Sequence, residues 1–212
     1  MIEFTIDDNK YWNDFYKEKH TDISSNTLFA EYIFNHWIDK QKTVLECGCG
    51  NGRDSLYFGK KGLYVVGVDA SKAAINYIKN DVPNCKFICG DFINSLNIYE
   101  QHYDICYSRF TIHAISLEQE LALINNIHKN LNTNGLFCIE VRSIHDELYG
   151  KGKQVGKDSF IYNNHYRRFI KMEELLTRLM DVGFRIKYAE ENTGFAPFDN
   201  TDPQIIRIVA CK

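Results

Sequence analysis

Apolar and polar positions follow two rhythms along this chain, and the switches between them mark out its elements. Short apolar runs rich in Val, Ile, Cys and Tyr at 43–47, 64–69, 86–89, 103–108 and 136–141 read as buried strands. Stretches of helical period separate them. One covers 53–61 and another 71–79, with Ser71 as its N-cap. In the clearest, Leu117, Leu121, Ile124, Ile127 or His128, and Leu131 recur at three- and four-residue steps, and 132–135 ends that helix. Strand alternating with helix implies right-handed crossovers and a mostly parallel sheet covered on both faces. The alternation then breaks at 142–170, a polar, aromatic and glycine-bearing segment too long for an ordinary connection and of the kind that forms lids or binding walls. A helix at 171–182, stopped by Gly183, and two strands at 184–192 and 204–211 finish the chain, the last two close enough to pair antiparallel.

Composition narrows the class without choosing a function. A chain of 212 residues with 44% hydrophobic and 25% charged residues fits one globular domain spanning 1–212, with 1–42 as an N-terminal helical cover. The net charge of −3 weighs against DNA as a partner, since phosphate binding announces itself as a basic excess or face. Seven cysteines, several inside apolar runs, look like reduced, buried thiols. Cys47 and Cys49 have the wrong spacing for a metal knuckle and no second pair to join them, so no metal is expected. Without a membrane-length apolar run or an N-terminal h-region, no membrane association and a cytoplasmic location are expected.

The chemistry concentrates in "VLECGCGNGRD", 44–54. Gly48, Gly50 and Gly52 sit where the first strand hands over to the first helix, the place where open α/β sheets bind ligands. The arrangement is Gly-x-Gly-x-Gly, whereas the dinucleotide fingerprint needs its third glycine one position later, and position 53 is Arg. Asp69 ends the second strand, where a carboxylate can accept both hydroxyls of an adenosine ribose. Glu46 ahead of the glycines would repel a pyrophosphate but suits a ligand carrying ammonium or sulfonium charge, directly or through the loop it orders. These features favour S-adenosylmethionine over NAD.

The stretches "VLECGCGNGRDSLYF", "VVGVDAS" and "CGDF", with the closing pair of strands, resemble a class I S-adenosylmethionine-dependent methyltransferase. That resemblance implies a Rossmann-like α/β fold: a seven-stranded sheet in the order 3-2-1-4-5-7-6, strand 7 antiparallel, with helices on both faces. It also implies that Glu46, Gly48, Cys49, Gly50 and Gly52 line the methionine and ribose end, and that Asp69 holds the ribose. Ala70 and Ser71 would flank the adenine, Asp91 and Phe92 would meet the base, and Ser108 and Arg109 would close the methionine side. For Asp91 a plain turn and for Phe92 a plain core position stay open. Tyr11, with Trp12, Phe15 and Tyr16, either docks a helix on the sheet or covers the cofactor.

A methyl acceptor must lie over the carboxyl ends of strands four and five, which directs attention to "YSRFTIHAI" and to 142–170. The latter is dense in Lys, Arg, His and Tyr and could cradle an anion. In an extended segment alternate residues face opposite ways, so Arg167 and Arg168 cannot both readily meet one ligand. Arg142, Tyr166 and Arg168 are taken as the acceptor-binding set, with Arg168 also in a catalytic role. His113 is the first choice of base and His165 the second, if the acceptor carries a proton; a structural role for His113 is equally open. The wording "RSIHDELYGKG...HYRRF" resembles small bacterial methyltransferases of capsule and surface-polysaccharide pathways that act on phosphoramidate or phosphorylated sugar intermediates. The expected function is therefore methyl transfer from S-adenosylmethionine to a small anionic acceptor. The alternatives are an RNA or protein methyltransferase, a non-catalytic cofactor-binding partner subunit and, last, an NAD oxidoreductase.

Overall fold

Strand residues of this chain alternate between two hydrophobic cores, one on each side of a single sheet. In the computed structural model, which describes residues 8–18, 25–38, 42–94 and 101–212, Leu45, Cys106, Phe137, Ile139 and Ile208 face one core. Their neighbours Val44, Ile105, Tyr107, Cys138 and Val209 face the other. Both faces being apolar, these strands are expected at the centre of a covered sheet. The sheet is built from β1 (Thr43–Cys47), β2 (Tyr64–Asp69), β3 (Cys85–Cys89), β4 (Tyr103–Arg109) and β5 (Leu131–Arg142). The chain's last strands, β9 (Arg185–Asn192) and β10 (Ile205–Cys211), complete it in the order β3-β2-β1-β4-β5-β10-β9. β10 is antiparallel to both β5 and β9. This is the expected seven-stranded order with its reversed strand.

Helices α5 (Leu117–Asn130) and α6 (Met172–Val182) cover one face through Leu123, Ile124, Ile127, Leu175 and Leu179. Helices α2 (Leu28–Trp37) and α3 (Arg53–Lys60) cover the other through Phe29, Ala30, Ile33, Leu56 and Phe58. A capping box starts α5: Ser116 Oγ accepts from Gln119 N at 3.1 Å, and Gln119 Oε1 accepts from Ser116 N at 2.9 Å. The short α4 (Lys72–Tyr77) has Ser71 as its N-cap, accepting from Ala74 N at 3.1 Å. No helix among the described residues is long and apolar enough to cross a membrane.

Two local expectations change. Residues 132–135 are not a connection between α5 and a strand; β5 already starts at Leu131, opposite Tyr103. The register then jumps to Ile105 opposite Leu136, so the polar stretch forms a bulge inside the strand, with Asn134 at φ 62°. The segment 142–170 holds a second, three-stranded antiparallel sheet, β6 (Lys153–Gly156), β7 (Ser159–Tyr162) and β8 (His165–Arg168). Asn163 and Asn164, both left-handed at φ 52° and 57°, make the two-residue turn between Tyr162 and His165. That pair of asparagines is a hairpin signal in the sequence itself.

Of the N-terminal cover, α1 (Asp8–Glu18) and α2 are described; residues 1–7, 19–24 and 39–41 lie outside the described residues. Buried Asp54, in the first turn of α3, accepts from Thr27 N at 2.9 Å, Thr27 Oγ1 at 2.8 Å and Tyr107 Oη at 2.8 Å. One carboxylate thus joins the start of α2, the start of α3 and the middle of β4. Asp54→Ala would orphan these buried donors, so it is expected to lower the unfolding free energy by about 3 kcal/mol, read from urea denaturation. An unchanged midpoint would remove this clamp from the account.

Candidate functional site

The carboxyl ends of the parallel strands meet at the turn after β1. Gly48, Gly50 and Gly52 all have positive φ, at 74°, 54° and 76°. Two of them also admit a close neighbour. A Cβ on Gly48 would stand 2.6 Å from Thr111 Oγ1, which donates to Cys47 O at 2.8 Å; one on Gly50 would stand 2.2 Å from Tyr16 Oη. Only glycine fits both demands. Asp69, at the end of β2, accepts from Gly50 N through Oδ2 and from Ser71 N through Oδ1, each at 2.8 Å. The one carboxylate therefore fixes the loops after β1 and β2, and each oxygen keeps a lone pair for a ligand hydroxyl. Burial pushes its pKa up, and the two main-chain N–H groups act against that rise.

Glu46 is buried and accepts from Ser55 Oγ in the first turn of α3. Burial, with Asp54 nearby, drives its pKa well above the usual carboxylate range. Of its two expected routes, ordering the loop is therefore the one its contacts serve. Cys49 is buried, its thiol likewise pushed up by burial. Ala70 accepts from Cys89 Sγ at 3.8 Å. Ser71 is engaged from outside the sheet: Asn13 Oδ1 of α1 accepts from Ser71 Oγ at 3.2 Å and from Ala73 N at 3.1 Å. Helix α1 thus lies across the site, with Tyr16 at Gly50 and Tyr11 stacked on His165, ring centroids 4.4 Å apart. Tyr11 and Tyr16 are separated by about 7.5 Å of helical rise, which makes the glycine turn and β8 walls of one region.

The second wall grows from the end of β4. Phe110 has φ 58°, a strained conformation for a bulky residue. Its ring lies under the guanidinium of Arg109 at 4.2 Å and that of Arg142 at 5.6 Å, and against His113 at 5.2 Å. Buried His113 accepts from Arg142 N through Nδ1 at 3.2 Å. Burial, reinforced by Arg142, His165, Arg167 and Arg168, lowers its pKa well below the ordinary value. Arg142 Nη1 is paired with buried Asp146 at 2.7 Å. Arg167 is half-buried, and burial followed by Arg142 lowers its pKa. It has no ion-pair partner among the described residues.

Several expected site residues are committed elsewhere. Arg168 is buried, donating to Ile115 O and Ile112 O at 3.1 Å each and to Glu120, which also takes Arg178 at 2.6 Å. It ties β8 to α5 and α6 and is not available to an acceptor. Tyr166 shares its side of β8, hydrogen-bonded to Ser159 Oγ at 3.2 Å, and lines with Lys157, Lys171, Glu174 and Arg178 a separate cavity of about 240 Å³. The strand's period of two therefore puts Arg167, with His165, on the side of α1, opposite Arg168.

His165 fails as a base. It is 7% exposed under Tyr11 and Trp12, neither ring nitrogen has a partner among the described residues, and burial with Arg167 and Arg142 lowers its pKa to about 3. Arg109 does not close the methionine side, because Glu140 holds it at 2.8 Å together with Arg207. Asp91 accepts from Ile93 N at 2.8 Å and Asn94 Nδ2 at 3.0 Å, the turn reading left open in the sequence, and Phe92 packs at the edge of a core. Ser108 is fully buried with an Oγ that has no partner among the described residues. The sequence reading missed Asn13 and Thr111, which carry no local signal, and Arg167, which strand alternation could have paired with His165.

Residues 44–135, a little under half of the chain, match the family described as methyltransferase domain. An uncharacterized methyltransferase of Synechocystis is 28% identical over 102 residues, covering 48% of either chain. A malonyl-[acyl-carrier protein] O-methyltransferase of Ilyobacter polytropus is 27% identical over 173 residues, 79% of this chain and 62% of its own. The chain thus spans about half to three-fifths of the length of these relatives. A 1,6-didemethyltoxoflavin-N1-methyltransferase of Burkholderia thailandensis, solved with S-adenosylhomocysteine, shares the fold at TM-score 0.70 and 18% identity, covering 95% of this chain and 87% of that one.

The residues present fit S-adenosylmethionine, the cofactor that the resemblance implies. The glycine turn leaves main chain open to a ligand, Asp69 retains acceptor capacity, and the orphaned Ser108 hydroxyl waits at the end of β4.

Replacing Arg168 by Ala would leave the buried charge of Glu120 short of a partner, and an unfolding free energy lower by about 3–5 kcal/mol is expected from urea titration. A stable variant defective only in turnover would return Arg168 to the acceptor site. Because folded His165 binds no proton until about pH 3, while the unfolded chain takes one near the ordinary value, stability must fall as pH drops below about 6.5. His165→Phe keeps the stack and should remove up to about 1.4 kcal/mol per pH unit of that slope. Parallel stability curves of the two proteins between these limits would contradict it.

Proposed function

We propose that this protein transfers the methyl group of S-adenosylmethionine to an oxygen of a small anionic acceptor, a phosphoryl, phosphoramidate or acidic sugar intermediate of surface-polysaccharide synthesis. One observation carries the anionic acceptor. Arg142 is neutralised by Asp146, whereas Arg167 stands beside it half-buried and unpaired among the described residues. A guanidinium taken partly out of water without a carboxylate paired to it is a site for one negative charge. The polysaccharide setting is supported by the likeness of "RSIHDELYGKG...HYRRF" to methyltransferases of such pathways. Transfer to oxygen accords with the name of the Ilyobacter polytropus relative.

When bound, the cofactor supplies a methyl group on a sulfonium, a good leaving group, so the protein's work is alignment and exclusion of water. Asp69 and the glycine turn hold the nucleoside, and Ser108 faces the methionine end. Segment 142–170 supplies the acceptor wall through Arg142 and Arg167. Helix α1 covers both with Tyr11 and Tyr16.

Incubation with methyl-labelled S-adenosylmethionine and a panel of phosphorylated, carboxylated and neutral sugars is expected to put label into anionic compounds alone, read by mass. Asp69→Ala should keep its circular dichroism and weaken S-adenosylhomocysteine binding by about tenfold or more. Label in neutral sugars, or undiminished binding by the variant, would count against the reading.

A further inference from the structure

The methyltransferase reading leaves open whether a side chain must take a proton from the acceptor, and the surroundings of His113 bear on that. A neutral imidazole has one nitrogen that donates and one that accepts. In His113 the accepting nitrogen is already in use: Nδ1 takes the N–H of Arg142, a main-chain donor that cannot turn away from it, at 3.2 Å. The ring proton therefore resides on Nε2, and the one hydrogen bond of the ring among the described residues is the one at Nδ1. The ring is held in place by Phe110 and is 3% exposed.

The charged and titratable neighbours that act most on His113 are set against proton uptake there. Arg142 comes from β5, and His165, Arg167 and Arg168 come from β8; all four act to lower the pKa of His113, after burial as the largest cause. Asp146 is paired with Arg142, Asp69 accepts from two main-chain N–H groups, and burial keeps the Tyr11, Tyr16 and Cys49 side chains protonated.

We infer that the methyl-accepting group is an oxyanion, a phosphoryl or carboxylate oxygen, held by the Nε2–H of His113 and the guanidinium of Arg167, and that His113 binds the acceptor as a donor and never acts as its base. This rests on the methyltransferase reading. The transfer balances without a base: an oxygen lone pair forms the bond to the methyl carbon, the carbon–sulfur bond breaks, and its electron pair stays on sulfur. The oxygen loses its negative charge as the sulfonium loses its positive one, with no proton left over. A hydroxyl or amine acceptor would instead release one proton that this site has nowhere to put.

The test uses the full chain with ¹⁵N-labelled histidine and S-adenosylhomocysteine, with inorganic phosphate, malonate and glucose as probes. Long-range proton–nitrogen spectra should show His113 as the Nε2–H tautomer between about pH 6 and 9. Phosphate or malonate should shift that proton and bind at least about tenfold more tightly than glucose, with phosphate against malonate separating a phosphoryl from a carboxylate acceptor. Arg167→Met should weaken the preferred anion about tenfold. His113→Gln, which keeps an N–H near the Nε2 position, should retain anion binding better than His113→Phe. An Nδ1–H tautomer, titration of His113 near neutrality, or glucose binding as well as both anions would overturn the inference. Failure of S-adenosylhomocysteine itself to bind would instead overturn the methyltransferase reading, so the two outcomes are distinct.

Discussion

A guanidinium or carboxylate taken out of water has to meet a partner, and in this molecule that requirement decides which charges are left for a ligand. Glu120 gathers Arg168 and Arg178, binding β8 and α6 to α5. Glu140 gathers Arg109 and Arg207, binding β4 and β10 to β5. Asp54 gathers the start of α2 and the hydroxyl of Tyr107. Each cluster uses polar groups that, counted one by one along the chain, look available for chemistry. After these pairings, Arg167 is the conspicuous guanidinium near the carboxyl ends of β4 and β5 without an ion pair of its own among the described residues; the nearby Asp146 is paired with Arg142.

The same bookkeeping shapes the cofactor side, with main chain in place of charge. Asp69 spends one lone pair of each oxygen on the loops after β1 and β2, and keeps the rest. Its position is thus made by the loops it organises, and a ligand gripping it is aligned with both. Helix α1 continues the arrangement: Asn13 adds to the capping of α4, Tyr16 fills the space over Gly50, and Tyr11 lies on His165. Loop, cover and acceptor wall are therefore coupled through direct contacts.

His113 and His165 illustrate how burial changes the meaning of a residue type. Both sit among arginines, both have lowered pKa values, and neither is suited to carrying charge. His113 is locked by a main-chain N–H, whereas His165 is stacked on Tyr11 and met edge-on by Trp12, with its nitrogens unpartnered among the described residues. A histidine near a reaction centre suggests a base when read as a letter. The hydrogen bond of the first places its proton on Nε2, and the aromatic contacts of the second make it a packing element.

The chain by itself determined the strands, the helices and their alternation, because a strand buried on both faces leaves an uninterrupted apolar run and a helix leaves a three- and four-residue period; the order of the sheet was legible only through the resemblance to class I methyltransferases. Both patterns are local. The glycine turn and Asp69 were legible for the same reason: positive φ and a strand-end carboxylate are demands on single positions. The three-stranded sheet inside 142–170 was half-legible, in Asn163 and Asn164, but its partly polar strands lack the apolar run that marks the others. What the tertiary structure alone decided is the fate of the charges. Arg167 and Arg168 are adjacent and chemically identical, and the one that meets Glu120 is set by which face of β8 turns toward α5, a distance of 48 residues away in the chain for Arg168. Desolvation acts on neighbours in space, and no spacing along the sequence encodes them.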